Sequence, residues 1–327
     1  MKLGLRIKRF FYRKVIKTNI KKVYKKENSL ADQPNAITSE DQSPVRFDIP
    51  LNIIEFAEQL KPNNLMNRST VLPMISCIKN IHHSYDSLSK NEEGLKAKAN
   101  DIFIQNLVEY CKTLGIASIG FTKLPHHLVF KDKAVLFENA IVLTMEMDKD
   151  RIAIAPHRKT VKMIMQTYNK LGIVANKIAS YLRDKGYAAQ ASHPLGGVVL
   201  YPPLAKEAGL GWFGRHGLLI TPEFGARVRL AAVFTNIPNL PFATENKHSW
   251  IPKYCATCGK CIKNCPPKAI REQSVLLENG LKSHTISDKC FPYFAQNYGC
   301  TVCIKVCPFS TLGYEKIHAI VKKKKLI

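Results

Sequence analysis

Eight of the ten cysteines in this 327-residue chain fall into two runs whose spacing suits iron–sulfur chemistry. The first is Cys255-x2-Cys258-x2-Cys261-x3-Cys265 followed by Pro266, and the second is Cys290-x9-Cys300-x2-Cys303-x3-Cys307 followed by Pro308. A [4Fe–4S] cube takes four thiolates, and two-residue gaps let successive cysteines wrap one cube in a tight turn. The cysteine after the three-residue gap points away, and in bacterial two-cluster ferredoxins it ligates the other cluster. The spacing therefore predicts one cluster on Cys255, Cys258, Cys261 and Cys307, and a second on Cys265, Cys290, Cys300 and Cys303. The long gap after Cys290 departs from the pattern and makes it the least tightly specified ligand. Zinc is the competing occupant, but a zinc ribbon uses two separated pairs and not three cysteines in succession. Disulfides would need an oxidising compartment to which nothing in the chain points. Cys77 and Cys111 stand alone and read as core residues, Cys111 in an apolar helical register.

A second feature is Gly209-Leu210-Gly211-Trp212-Phe213-Gly214, which matches G-x-G-x-x-G by letter. A dinucleotide site needs a strand just before the glycines and an acid about twenty residues on. Here Leu204 to Ala208 reads as helix and no suitable acid follows, so the glycines imply tight turns or a close backbone approach. His82-His83 and His126-His127 are adjacent pairs whose side chains diverge, and they read as surface or core residues.

These residues need a frame. From Asn100, Ile102, Leu107, Val108, Cys111 and Leu114 recur at helical spacing, with Gly115 as a stop. IASIGF (116–121), AIVLTMEM (140–147), GVVLY (197–201) and ARVRLAAVFT (226–235) read as strands, and 161–185 reads as a long helix ended by Gly186. A short helix is expected around Leu204 to Glu207. Residues 96–245 then form one α/β-type core of domain length, followed by the cysteine module at 246–312. Residues 49–95 give no clear pattern, and 27–48, polar and broken by Pro, read as a linker.

The net charge of +24 is concentrated at the ends: residues 1–26 hold eleven Lys or Arg and no acid, and Lys322 to Lys325 add four more. Basic tails at 1–26 and 313–327 are expected. Three uses stay open for them: plain solvation, an anionic membrane surface through a stripe of Leu3, Ile7, Phe10 and Phe11, or nucleic acid. No apolar run is long enough to span a bilayer, and no export signal is legible at the N-terminus. The expectation is a cytoplasmic protein, with peripheral membrane contact as one role for the tails.

The segment AKEAGLGWFGRHGLLITPEFGARVRLAAVFTNIP (205–238), with the two cysteine runs after it, resembles the superfamily of corrinoid-dependent reductases. That group includes the respiratory reductive dehalogenases and the epoxyqueuosine reductases of tRNA modification. The resemblance covers about residues 100 to 310. It implies an α+β fold: a nitroreductase-like domain binding base-off cobalamin, with a C-terminal two-cluster ferredoxin-like module. On this resemblance Gly209, Gly211, Gly214 and Arg215 are expected to border the cofactor.

The two branches differ in their proton donor. Epoxyqueuosine reductases carry Asp-Tyr-His at the start of the long helix, where this chain has Thr167-Tyr168-Asn169. Dehalogenases use a Tyr assisted by a nearby cation. Tyr168 resembles that Tyr, and IVLTMEMDKDRIAIAP and YLRDKGYAA also resemble the dehalogenase branch. Arg227 is the expected assisting cation, ahead of Arg215 and Arg229. A phenol donates to a developing carbanion and a neighbouring guanidinium favours the phenolate left behind. The resemblance implies an external low-potential electron donor and a small-molecule substrate. Respiratory dehalogenases usually carry a twin-arginine export signal, which is not legible here and argues against that role. The competing readings are epoxyqueuosine reduction on tRNA, and a non-enzymatic electron carrier or corrinoid activator.

Overall fold

The computed structural model describes residues 16–47, 52, 64–65, 68–92 and 98–323. Helix α1 (Thr18–Asn28) leads to a two-residue strand β1 (Ile37–Thr38), and helix α2 (Arg68–Asp86) follows. Helix α3 (Asp101–Thr113) starts where the Asn100 side chain accepts from the Phe103 N–H and stops before Gly115, whose φ of +81° suits glycine. Strands β2 (Ser118–Lys123), β3 (Ala134–Val135) and β4 (Asn139–Glu146) come next, then the long helix α4 (Arg158–Asp184). Strand β5 (Ala189–Ser192), helix α5 (Tyr201–Glu207), the small pair β6 (Trp212–Phe213) and β7 (Leu219–Ile220), and strand β8 (Val228–Thr235) complete the core. The cysteine module carries α6 (Ile251–Cys258), a hairpin of β9 (Ile270–Leu276) and β10 (Lys282–Thr285), α7 (Ser287–Gln296) and α8 (Tyr314–Lys323).

The main sheet runs β2-β4-β8-β5 and is antiparallel throughout. Its inner strand β4 is buried along almost its whole length because both faces are covered. On one face α3 and α4 pack through Leu107, Cys111, Leu171 and Ile178; on the other, α5 and its flanking loops pack through Leu204, Ala205 and Leu210. The expected helix at 161–185 and the strands at 116–121, 140–147 and 226–235 are present with slightly shifted ends. GVVLY is not a strand: only Val199 makes a bridge, to Val129, and Tyr201 already opens α5. Cys77 and Cys111 are fully buried.

The ends depart most from expectation. The second half of the 1–26 segment is no free tail, since Ile16, Ile20 and Val23 occur at helical spacing and are buried against α2 and α4. Each such side chain contributes about 1.5–3 kcal/mol on burial, enough to hold one short helix against the body. Residues 27–48 are not a plain linker either, because β1 pairs with β3 and Glu27 is wholly buried between Arg46 and Lys133, at 2.8 and 2.7 Å. At the C-terminus, α8 docks through Tyr314, Ile317 and Val321, and its Lys322 and Lys323 face solvent. Within 49–95 the clearest element is α2. The Leu3, Ile7, Phe10 and Phe11 stripe, and Lys324 and Lys325, lie outside the described residues. Among the described residues no helix is long and apolar enough to cross a membrane.

Candidate active site and cysteine centres

Tyr168 sits on α4 where that helix meets α1, α2 and the cysteine module. There it borders a cavity of about 170 Å³ whose wall is almost entirely apolar. Ile20, Ile78 and Met165 are typical of the lining, and Phe294 and Gly299 of the cysteine module close one side. A space of this size takes a molecule comparable to benzene. A second cavity, lined by Phe130, Pro194 and Leu200, shares Tyr168, Leu195 and Gly196 with the first. No hydrogen bond to the Tyr168 hydroxyl is found among the described residues.

The cation beside Tyr168 is Arg229. Its guanidinium carbon lies 4.4 Å from the centre of the Tyr168 ring, and its buried Nε has no hydrogen-bond partner among the described residues. A cation so placed over an aromatic face contributes about 0.5–2 kcal/mol. The expectation that Arg227 attends Tyr168 is not met. Its guanidinium pairs with Glu146 and donates to the carbonyls of Met147 (3.0 Å) and Ser310 (3.3 Å). Arg227 thereby ties the end of β4 to the turn that follows Cys307. The two arginines are two apart and share a face of the chain, so their spacing alone carries no signal that separates them. The flanks of Tyr168 are occupied elsewhere: Thr167 donates to the Met163 carbonyl at 2.9 Å, and Asn169 accepts from Asn80 at 3.0 Å. No carboxylate lines the cavity.

Cys255, Cys258, Cys261 and Cys307 all line one small cavity, which Arg215 and Phe309 also border. Cys255 is pushed up to about 11, first by burial and, against the opposing Arg215 N–H, by Cys261 and Cys258. Cys307 reaches about 12 through burial, with Cys255 and Cys261 adding to it. In the other group Cys290 is pushed up to about 11 by burial, then by Cys300 and Cys265, and burial with Cys300 and Cys290 raises Cys303 further still. Cys261 also acts on Cys303, so the two runs of cysteines lie close to one another. The turns are tight: Gly259, Cys300 and Thr301 have φ of +59°, +38° and +60°. Such values are rare for residues other than glycine and gather at functional sites.

Buried thiols that raise one another's pKa ionise poorly by themselves, and a bound cation reverses that balance. This donor chemistry fits a thiolate-ligated metal centre in each group. Among the described residues all ten cysteines are free thiols, and no three His, Cys, Asp or Glu side chains converge at metal-binding distance.

The glycine turn follows helix α5 and contains β6, whereas a dinucleotide fold has a strand before the glycines and a helix after them. Its glycines serve the chain's own packing. A Cβ on Gly211 would meet the Ile220 carbonyl at 2.2 Å, one on Gly214 would meet the His216 ring at 2.7 Å, and Gly209 has φ of +72°. Gly214 and Arg215 border an open groove of about 390 Å³ that also reaches Cys255 and His284.

No protein-family model matches the chain. It is 35% identical over 212 residues to a tetrachloroethene reductive dehalogenase of Sulfurospirillum multivorans, covering 61% of this chain and 41% of that protein. It is 36% identical over 115 residues to an epoxyqueuosine reductase of Atelocyanobacterium thalassa, covering 32% of this chain and 36% of that one. The chain therefore spans about two fifths of the length of the dehalogenase it matches. In structure it is similar to a catabolic reductive dehalogenase at 16% identity and a TM-score of 0.66, covering 90% of this chain and 46% of the other. That likeness establishes a shared fold for nearly all of the chain. By sequence the chain is similar to both the reductive dehalogenases and the epoxyqueuosine reductases, and the similarity to the dehalogenase extends over more of it, 61% against 32%.

Proposed function

We propose that this chain is an iron–sulfur and corrinoid-dependent reductase of the reductive-dehalogenase type, acting on a small apolar substrate. One observation carries the reading. Tyr168, with a guanidinium over its ring and no hydroxyl partner among the described residues, borders an apolar cavity that also touches the cysteine module. Cys255, Cys258, Cys261 and Cys307 would hold one [4Fe–4S] cluster, and Cys265, Cys290, Cys300 and Cys303 the other. A corrinoid, when bound, supplies a strongly reducing cobalt centre fed by those clusters.

The chain's own residues then do three things. The apolar wall selects a substrate of roughly benzene size and excludes water, which strengthens charge interactions within the cavity. Tyr168 gives its phenolic proton to the carbon from which the leaving group departs. Arg229 stabilises the phenolate that remains, as Arg227, committed to Glu146, does not. A positioned general acid of this kind contributes about 10²–10⁴ in rate.

The test is anaerobic purification with iron, sulfide and cobalt quantified together, followed by Tyr168→Phe. Both proteins should hold about eight irons, the number two such clusters contain, and retain cobalamin, while the variant loses substrate reduction by at least about a hundredfold. Turnover of epoxyqueuosine-containing tRNA would overturn the dehalogenase-type assignment, and protein that holds iron but no corrinoid would reduce the chain to an electron carrier.

A further inference from the structure

The two cysteine groups adjoin different cavities. Phe294 and Gly299, the residue before Cys300, close one side of the Tyr168 cavity, so the second group lies toward the substrate. Cys255 of the first group borders instead the open groove of about 390 Å³, which Gln273 and Lys282 of the β9–β10 hairpin also line. Past Trp212, Phe213 and His284 this groove runs on into a second hollow of about 570 Å³.

The surroundings of the groove are basic. Lys282 and Arg215 line it, and Arg215 is held there by the carbonyls of Ala256 and Glu272. Lys253, Lys260 and Lys263 stand exposed along the first cysteine loop. Among the described residues none of these four lysines pairs with a carboxylate. Residues 246–312 as a whole hold nine Lys or Arg against three acids. Beside the lysines lies an apolar patch. Val275, Leu276 and Leu277 are exposed in succession on the hairpin, and Leu276 sits across from Lys282. An apolar centre with a polar rim is the anatomy of a protein interface, and unpaired charges of one sign steer a partner of the other. A nucleic acid would meet the lysines equally well, but three exposed aliphatic side chains offer nothing to a phosphate backbone.

We propose that this groove and hairpin form the docking face of an acidic one-electron carrier protein. The carrier loses one electron and the centre on Cys255, Cys258, Cys261 and Cys307 gains it, with no bond made or broken. The second group then relays it toward the Tyr168 cavity. The proposal rests on the reading of the cysteines as cluster ligands.

The test uses the anaerobically prepared full chain with reduced flavodoxin as the acidic carrier. Methyl viologen, a small cation, serves as a reductant that needs no docking face. One variant combines Lys253→Glu, Lys260→Glu and Lys282→Glu. A second, of equal net charge, combines Lys112→Glu, Lys177→Glu and Lys185→Glu, exposed positions on or beside α3 and α4, across the main sheet from α5. Stopped-flow bleaching of the iron–sulfur absorbance gives reduction rates, and anisotropy of dye-labelled oxidised flavodoxin gives binding. In wild type both should weaken as salt rises. At low salt the groove variant should be reduced by flavodoxin at least about tenfold more slowly and should lose flavodoxin binding, with its methyl viologen rate kept. The second variant should stay within about twofold of wild type, because distant exposed charges are screened. Leu276→Ser should weaken binding with the salt dependence unchanged. Equal slowing of both triple variants, or unchanged flavodoxin binding in the groove variant, would overturn the proposal. So would a single-stranded RNA oligonucleotide whose binding the groove variant abolishes while flavodoxin reduction persists. Wild type holding far fewer than about eight irons, or unbleached by methyl viologen, would instead sink the cluster reading itself.

Discussion

Replacing Glu27 with Ala tests whether the segment before residue 48 belongs to the folded body. The Glu27 side chain is 0% exposed, and its partners Arg46 and Lys133 are only 9% and 14% exposed, at 2.8 and 2.7 Å. The Tyr85 hydroxyl donates to the same carboxylate at 3.2 Å, and burial followed by the Glu27 charge raises that phenol well above its ordinary range. Removing the carboxylate takes its charge away from two cations that water reaches poorly. Arg46 keeps the Gly196 carbonyl at 3.2 Å and the Tyr24 ring at 4.9 Å, neither of which carries a compensating charge. Loss of one partner from a buried ion pair costs about 3–5 kcal/mol. At roughly 2–4 °C per kcal/mol for a body of this size, the thermal midpoint should fall by about 6–20 °C. Glu27→Gln, which keeps the shape, should fall less. The assay is guanidinium and thermal unfolding of anaerobically prepared protein by circular dichroism. Glu109→Ala serves as reference, because its pair with Lys112 is exposed and contributes only about 0.3–0.5 kcal/mol. If Glu27→Ala moves the midpoint no further than Glu109→Ala does, α1 is not docked as described and the reasoning fails.

Other outcomes follow from the same contacts. Arg229→Gln should slow substrate reduction with iron content unchanged and a stability loss no larger than its ring contact, about 0.5–2 kcal/mol. Arg227→Gln should leave the reduction rate of the folded protein nearly unchanged and lower stability by about 1.5–3 kcal/mol through its lost charged hydrogen bonds; the reverse pattern in rate would return the assisting role to Arg227. Gly172→Ala should destabilise by about 1–3 kcal/mol, because its Cβ would lie 1.9 Å from Nε2 of the buried His193 ring, and an unchanged denaturation midpoint would refute that packing. Burial lowers His193 to about 3, so its ring is neutral in the folded chain, whereas the unfolded chain binds a proton below about pH 6.5. Its share of stability is therefore present above pH 6.5 and lost as pH falls, by about 2 kcal/mol between pH 6.5 and 5. Denaturation midpoints measured across that range should flatten in His193→Gln, and an undiminished slope would assign the effect to other groups.

That Cys255, Cys258 and Cys261 gather about one cavity was legible because the information is local: a two-residue gap keeps thiols in one turn, wherever the module sits. The strands at β2, β4 and β8 and the helix α4 were legible for a similar reason, since apolar period and a terminating glycine act over a few residues. Cys111 was placed correctly by the same helical register. The ends were misread because their composition is dominated by lysine, which masks the spacing of Ile16, Ile20 and Val23. That spacing acquires meaning only when α2 and α4 offer an apolar surface to meet it. GVVLY looked like a strand by composition, yet the chain bends there into α5 because only Val199 finds a partner to bridge. The choice between Arg227 and Arg229 belonged wholly to tertiary structure. Both arginines lie on one face of the chain. What separates them is that Glu146 ends β4 beside one and α4 carries Tyr168 beneath the other, contacts 81 and 61 residues away along the chain. A charge finds its role through the partner that folding brings to it, and no local pattern encodes that distance.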